Sequence, residues 1–302
     1  MRKGGWKRWL LPLLWVCLAA LPIMGERVRV ATYNVENYTL ANRMVDGIYR
    51  VDYPKPEVEK AALRSIIREV RPDVLAVQEM GPMPFLEELQ RDLRREGLDF
   101  PYLALLTEAD PVRKIGVLSR IPFVEVIPHN DLDFPYLDGR EQVKRGLLEV
   151  RFETANIPWA FFTLHLKSKW TEHAEDPQAN RRRVGEAHAI RDRIRHQFPE
   201  GEGGLFVVAG DFNDTRDTAT LRRFLQVSDR TITEMLEAVD SRGERWTQHF
   251  ARRDLYSRID YLLVSPAMMP QVVPESARIV DSPNWRTASD HRMLYVDLDF
   301  GN

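Results

Sequence analysis

The run Val207-Val208-Ala209-Gly210-Asp211-Phe212-Asn213-Asp214 constrains the chain more than any other. An apolar run, a glycine, and then two polar groups separated by one aromatic read as a buried strand that delivers its last side chains to a sheet edge. Because side chains alternate across a strand, Asp211 and Asn213 share one face while Phe212 turns to the other, into the core. A carboxylate there takes a cation or a proton, and an amide donates to an oxyanion. The same letters also suit an Asx-rich turn after a core strand.

The pattern recurs along the chain. Val28 to Val35 reads as a strand with Asn34 at its end, Glu57 to Val70 as an amphipathic helix, and Asp73 to Glu79 as a second strand that finishes in a carboxylate. Strand, helix, strand brings Asn34 and Glu79 to one sheet edge if the strands are parallel. A helix over Pro84 to Gly97 follows, then five strands in succession, at Tyr102–Leu106, Lys114–Ser119, Phe123–Ile127, Gly146–Phe152 and Pro158–Leu166. Strand after strand predicts antiparallel pairing, and the last of them delivers His165.

Ala179 to Phe198 is a basic helix whose arginines form a solvated face by default, with Arg183 at its start placed to reach a phosphate. Arg245 to Gln248 pairs with Ser257 to Val264, where Asp260 stands mid-strand and needs a partner. Asp290 and His291, before the final strand, supply one, since an aspartate orients a histidine in many acid–base sites. Two segments lack periodicity: Glu36 to Pro56, which reads as a long loop with interleaved aromatic and basic residues, and Asn130 to Arg145, where Lys144 and Arg145 either reach phosphate or lie on the surface.

With 302 residues, 44 % of them hydrophobic, the chain can fill the core of one large domain, assigned to residues 26–302. Residues 1–25 differ in kind. Arg2, Lys3, Lys7 and Arg8 precede an apolar stretch too short to span a bilayer comfortably, which reads as a secretory signal peptide and predicts a secreted or periplasmic protein; the alternative is an uncleaved anchor over residues 9–23, with membrane contact through it. Cys17, the single cysteine, lies inside that stretch, so the mature chain has no disulfide and no thiol chemistry. Removing the four basic residues leaves 39 Lys and Arg against 45 Asp and Glu, a formal charge of −6 that does not favour non-specific nucleic-acid binding.

Seven segments, TYNVEN around Asn34, QE at Gln78-Glu79, IGVLSR from Ile115, HLKSK from His165, GDFND from Gly210, SRIDYLLVS from Ser257 and SDH at Asp290, together resemble the endonuclease/exonuclease/phosphatase superfamily, in its order and over everything after the leader. The resemblance implies an α/β (α+β) four-layer sandwich, two mixed β-sheets flanked by helices, of the deoxyribonuclease I type. It implies Glu79, with Asp290 and Asn34, as ligands of Mg²⁺ or Mn²⁺, His291 oriented by Asp260, His165 and Asn213 as donors to phosphate oxygens, and Asp211 holding the nucleophilic water. The implied activity is in-line hydrolysis of a phosphodiester such as DNA or RNA by a monomer without a stable protein partner. The alternatives are an inositol-phosphate or sphingomyelin-type phospholipid hydrolase, disfavoured because no apolar insertion is evident after the leader, and a binding domain that has lost catalysis.

Overall fold

The computed structural model describes residues 27–198 and 203–301; the leader assigned to residues 1–25 lies outside them. Strand β1 (Arg27–Tyr38) leads into a two-stranded ribbon, β2 (Ala41–Val45) and β3 (Ile48–Tyr53), then helix α1 (Glu57–Val70), β4 (Val74–Met80), α2 (Met83–Arg95), β5 (Tyr102–Leu105) and β6 (Lys114–Ser119). Next come β7 (Glu125–His129), a second ribbon of β8 (Asp133–Tyr136) and β9 (Gly139–Gln142), β10 (Leu147–Thr154), β11 (Ile157–His165), α3 (Asn180–Gln197), β12 (Phe206–Asp211) and α4 (Ala219–Leu225). Short strands β13 (Gln226–Val227), β14 (Arg230–Thr231) and β15 (Glu234–Met235) precede a third ribbon, β16 (Gln248–Phe250) and β17 (Leu255–Ser257). The chain closes with β18 (Asp260–Val264), β19 (Arg278–Ile279), α5 (Trp285–Ala288) and β20 (Leu294–Asp299).

Two six-stranded sheets result, ordered β19-β20-β1-β4-β6-β5 and β15-β18-β12-β11-β10-β7. Each is mixed. In the first, β1 and β4 run parallel across the α1 crossover; in the second, β11 and β12 run parallel across α3. The sheets face each other through an apolar layer that includes Val28, Val30, Val74, Ala76 and Val117 from one side and Val150, Phe161, Val207, Ala209 and Leu262 from the other. Alternation sends the intervening residues outward. Ala31, Tyr33, Leu75 and Val77 pack under Leu63, Ile66, Ile67 and Leu86 of α1 and α2, while Phe162, Val208 and Leu263 pack under Ala187, Ile190 and Leu221 of α3 and α4. Helix, sheet, sheet, helix is the predicted four-layer sandwich.

The same alternation locates the site. Along β1 the inward series is Val28, Val30, Thr32, Asn34; along β12 it is Val207, Ala209, Asp211. Both start apolar and end polar, so one end of the inter-sheet layer becomes hydrophilic. Gln78 marks the transition, its amide donating at 3.1 Å both to Thr32 Oγ1 in its own sheet and to Thr163 Oγ1 in the facing one.

The segment from Glu36 to Pro56 is not the loop expected from its composition. It forms the β2–β3 ribbon, closed by Asp46 and Gly47 with φ of 51° and 75°. An Asp-Gly pair between strands is a recognised hairpin signal, because both positions of the tight turn require positive φ. The apolar residues hid it: they do not alternate with polar ones because neither face of the ribbon is fully covered.

Candidate active site

Three neighbouring strands in register build one wall. His165 at the end of β11 pairs with Asp211 at the end of β12, and Asp211 pairs with Asp260 at the start of β18. Each side chain is almost fully buried. Asn34 arrives from the opposite sheet and donates its Nδ2 to Asp211 Oδ2 over 3.1 Å. Asn213, held at φ of 51°, donates its backbone N–H to Asp211 Oδ1 at 2.8 Å and its amide to Asp211 Oδ2 at 3.2 Å and Leu166 O at 3.0 Å. Both amide hydrogens of Asn213 are therefore engaged inside the protein.

Asp211 thus collects several donors, yet burial, with Asp260 beside it, pushes its carboxyl up to about 7. His291 Nδ1 shares a 2.8 Å hydrogen bond with Asp260 Oδ2, and its Nε2 faces Asp211 Oδ2 at 3.9 Å. Burial opposes a charge on that ring, but Asp260 and Asp290 outweigh it and hold the imidazole well above its ordinary value. His165 is the opposite case: burial and the Arg145 charge push it well below the ordinary range, so it is neutral while its Nε2 lies 3.3 Å from Asp211 Oδ2.

The expected metal ligands lie on the other side of a cavity of about 340 Å³ that His165, Asp211, Asn213 and His291 also line. Glu79, at φ of 60°, accepts the Asn37 N–H at 3.0 Å. Glu36 Oε2 accepts the Asp290 N–H at 3.0 Å, and Gln248 Nε2 donates to Asp290 Oδ2 at 3.4 Å. Burial and the Asp290 charge push Glu36 up to about 7. Three carboxylates facing one cavity are an oxygen-rich donor set suited to a hard divalent cation, and Asn34, behind them, contacts Asp211 rather than opening to the cavity. A second grouping, Asp211, Asp260 and His291, also has ligand atoms within 4.8 Å of one another. There the imidazole already satisfies Asp260, which suits an oriented histidine better than a first ligand.

Two expected phosphate contacts separate. Arg145 lines the cavity and is buried, not superficial; its Nη1 donates to Leu166 O at 2.9 Å and its Nε lies 3.6 Å from Asp110 Oδ2. Arg183 does not reach the cavity. Its guanidinium is fully buried and donates to Asp214 Oδ2, Lys167 O, Gln178 O and Asn180 Oδ1, tying the start of α3 to the exit of β12. A basic run on a helix hides which of its arginines are buried, here Arg183 and Arg191, because the pattern on α3 is too polar to show which face is covered.

Glu36 and Arg113 are the site residues that the sequence reading missed. Arg113 Nε lies 3.7 Å from Glu79 Oε2 and donates to Asn37 Oδ1 at 2.8 Å. Strand alternation offered a signal for Glu36, two residues beyond Asn34; nothing local marked Arg113.

A sequence model described as the endonuclease/exonuclease/phosphatase family matches residues 31–291. The chain belongs to that family. Its members are phosphoester hydrolases that depend on a divalent metal, and the oxygen-lined cavity of this member fits such an ion. No significant match is found among curated protein sequences. The catalytic domain of human Nocturnin, solved with a bound sulfate, shares 17 % identity over 91 % of this chain and 94 % of its own, with a TM-score of 0.65. An endonuclease/exonuclease/phosphatase protein from Bacteroides vulgatus shares 18 % over 91 % and 99 %, at 0.62. D. rerio TDP2, complexed with single strand DNA product, shares 16 % over 90 % and 98 %, at 0.59. At these identities the likeness is one of fold.

Proposed function

We propose that this family member is an exported hydrolase that cleaves phosphodiesters by in-line attack of water, without a covalent intermediate. The observation that carries the reading is convergence: His165, Asp211, Asn213, His291, Glu79 and Asp290 come from four separated segments and line one cavity. Glu79 and Asp290, with Glu36 beside them, would hold Mg²⁺ or Mn²⁺, which supplies the positive charge that an anionic diester needs before attack.

The proton roles follow from the two environments. Asp211, poised near 7, takes the proton from water, and Asn34 and Asn213 fix the direction of its lone pairs. His291, kept charged by Asp260, donates to a phosphate oxygen instead of serving as base. His165, neutral with its Nε2 3.3 Å from Asp211 Oδ2, packs against that carboxylate, and Arg145, which lines the cavity, supplies positive charge toward the phosphate.

Nucleic acid is the first substrate to test, supported by the fold likeness to a TDP2 solved with a single-strand DNA product. A phospholipid diester is the second, favoured by the exposed apolar β2–β3 ribbon, which removes the ground on which the sequence disfavoured it. Purified residues 26–302 should be assayed with and without Mg²⁺ or Mn²⁺ on supercoiled plasmid, a chromogenic phosphodiester, inositol polyphosphates and sphingomyelin, with Asp211→Asn as control. Metal-dependent turnover abolished in the variant supports the hydrolase reading, and the substrate turned over names the branch. Silence on all of them with an intact fold contradicts it. Export is checked separately, by the mass of the N-terminus recovered from periplasm or medium.

A further inference from the structure

Most of the exposed large hydrophobic residues among the described residues lie on segments that start at the wall of the catalytic cavity. On the β2–β3 ribbon, Met44, Ile48 and Tyr49 are 61, 55 and 62 % exposed. The ribbon is anchored at the cavity: Arg43 Nη2 donates to Asn37 O at 2.9 Å and to Thr39 O at 3.1 Å, and Asn37 lines the cavity wall. The β16–β17 ribbon also leaves that wall, from Gln248, and exposes Phe250 and Leu255 by 40 and 51 %. Trp170, itself a lining residue, is 70 % exposed. Of the fifteen exposed large hydrophobic residues, ten fall on these ribbons, their immediate flanks, Trp170, or Val112 beside Arg113.

A two-stranded ribbon with apolar groups on solvent is marginal by itself, and clustered exposed apolar surface marks a place of interaction. The cations on this rim indicate with what. Lys169, Arg252 and Arg253 are exposed and have no ion pair among the described residues, although most arginines of the chain are paired. Arg252 and Arg253 form the turn between Phe250 and Leu255. Unpaired basic side chains interleaved with Trp, Tyr, Phe and Met are the composition of a membrane-interface anchor, where aromatic rings sit at headgroup level and basic groups meet anionic lipid.

We propose that the mouth of the cavity docks on an anionic phospholipid bilayer, with the β2–β3 and β16–β17 ribbons and Trp170 inserted at the interface. Docking sets the cavity facing the headgroup layer, where the phosphodiester is the group presented to it. In that respect the inference rests on the phosphodiesterase reading and places the phospholipid diester, the second substrate above, ahead of nucleic acid; the docking itself requires no turnover.

The test is co-sedimentation of the chain from Glu26, in EDTA, with phosphatidylcholine vesicles with or without phosphatidylglycerol. Binding to the anionic vesicles, weakened by salt, is expected, and Ile48→Ser combined with Tyr49→Ser, or Arg252→Ser combined with Arg253→Ser, should lower the partition coefficient about tenfold or more. Val124→Ser combined with Val126→Ser, exposed apolar positions away from the rim, should bind as the parent does, and thermal midpoints report that each variant is folded. No binding to either vesicle overturns the proposal. So does unchanged binding of folded rim variants, or a rim that instead mediates a dimer or holds an oligonucleotide. Asp211→Asn should bind vesicles like the parent while losing turnover of a soluble diester, so failure of docking and failure of the catalytic reading are separately visible.

Discussion

Asn34 Nδ2 and Asp211 Oδ2 meet at 3.1 Å, and that contact joins the two β-sheets at the one end of their shared layer that is polar. The residues are 177 positions apart. Each comes last in an inward-facing series that begins with apolar side chains, so the packing that seals the sheets together also aims the amide at the carboxylate.

Asp211→Asn should separate stability from activity. Folding raises the carboxyl from 3.8 to about 7, so between those values the native state binds more protons than the unfolded chain, and stability falls as pH rises. The amide carries no such penalty. In EDTA at pH 8 the variant is expected to melt a few degrees above the parent, roughly the effect of 1 kcal/mol or more in a domain of this size, while turnover drops on the order of a hundredfold. A lower melting point together with near-normal turnover would sink the assignment of Asp211.

The pH profile of kcat/KM should have two limbs. Activity rises through about 7 as Asp211 loses its proton, and falls at higher pH as His291 loses the charge that Asp260 sustains. In Asp260→Asn the alkaline limb should move to lower pH, because the raised pKa depends on that carboxylate, and kcat should fall by about a hundredfold. An unmoved alkaline limb in a folded variant contradicts the role given to His291.

Divalent-ion affinity should depend on pH in the same range. Glu36, pushed up to about 7 by burial and Asp290, carries a proton below that value which an incoming cation must displace. Calorimetric titration with Mg²⁺ is expected to show proton release and an apparent Kd that weakens about tenfold for each unit below pH 7. Glu79→Gln should lose most of that binding. Equal affinities at pH 6 and pH 8 would place the ion elsewhere.

Arg183 is a test of a structural role. Arg183→Met removes the buried positive charge that pairs Asp214, whose carboxylate keeps only Thr220 Oγ1 and the Thr215 N–H, and takes a donor from three backbone or amide acceptors, at a cost of about 3–5 kcal/mol. Denaturant titration should show that loss, while kcat/KM per folded molecule stays close to the parent. A selective loss of KM at normal stability would return Arg183 to the phosphate site.

Gly210 permits the approach of β11 to β12. Its φ is 148°, and a Cβ there would stand 2.0 Å from Leu164 O, a backbone atom that cannot step aside. Gly210→Ala should cost more than about 2 kcal/mol and disturb the pairing of His165 with Asp211. A variant as stable as the parent would show that the strands can spread.

The sequence by itself determined the period-2 runs that end in Asn34, Glu79, His165 and Asp211, the helices between them and the partner that Asp260 needs, because strand alternation and helix amphipathicity are local and survive in a linear reading. It also held the Asp46-Gly47 turn, though the unalternating apolar residues around it masked the ribbon. Only tertiary structure decided the rest. Which face of the basic helix is buried, and hence that Arg183 is a buried tie while Arg145 lines the cavity, depends on what packs above each residue. That Glu36 and Arg113 belong to the site, that His165 and His291 are pushed to opposite proton states, and that exposed apolar ribbons start from the cavity wall all follow from charges and surfaces brought together across long separations. Burial and Coulomb interactions act through space, and the chain order does not encode those distances.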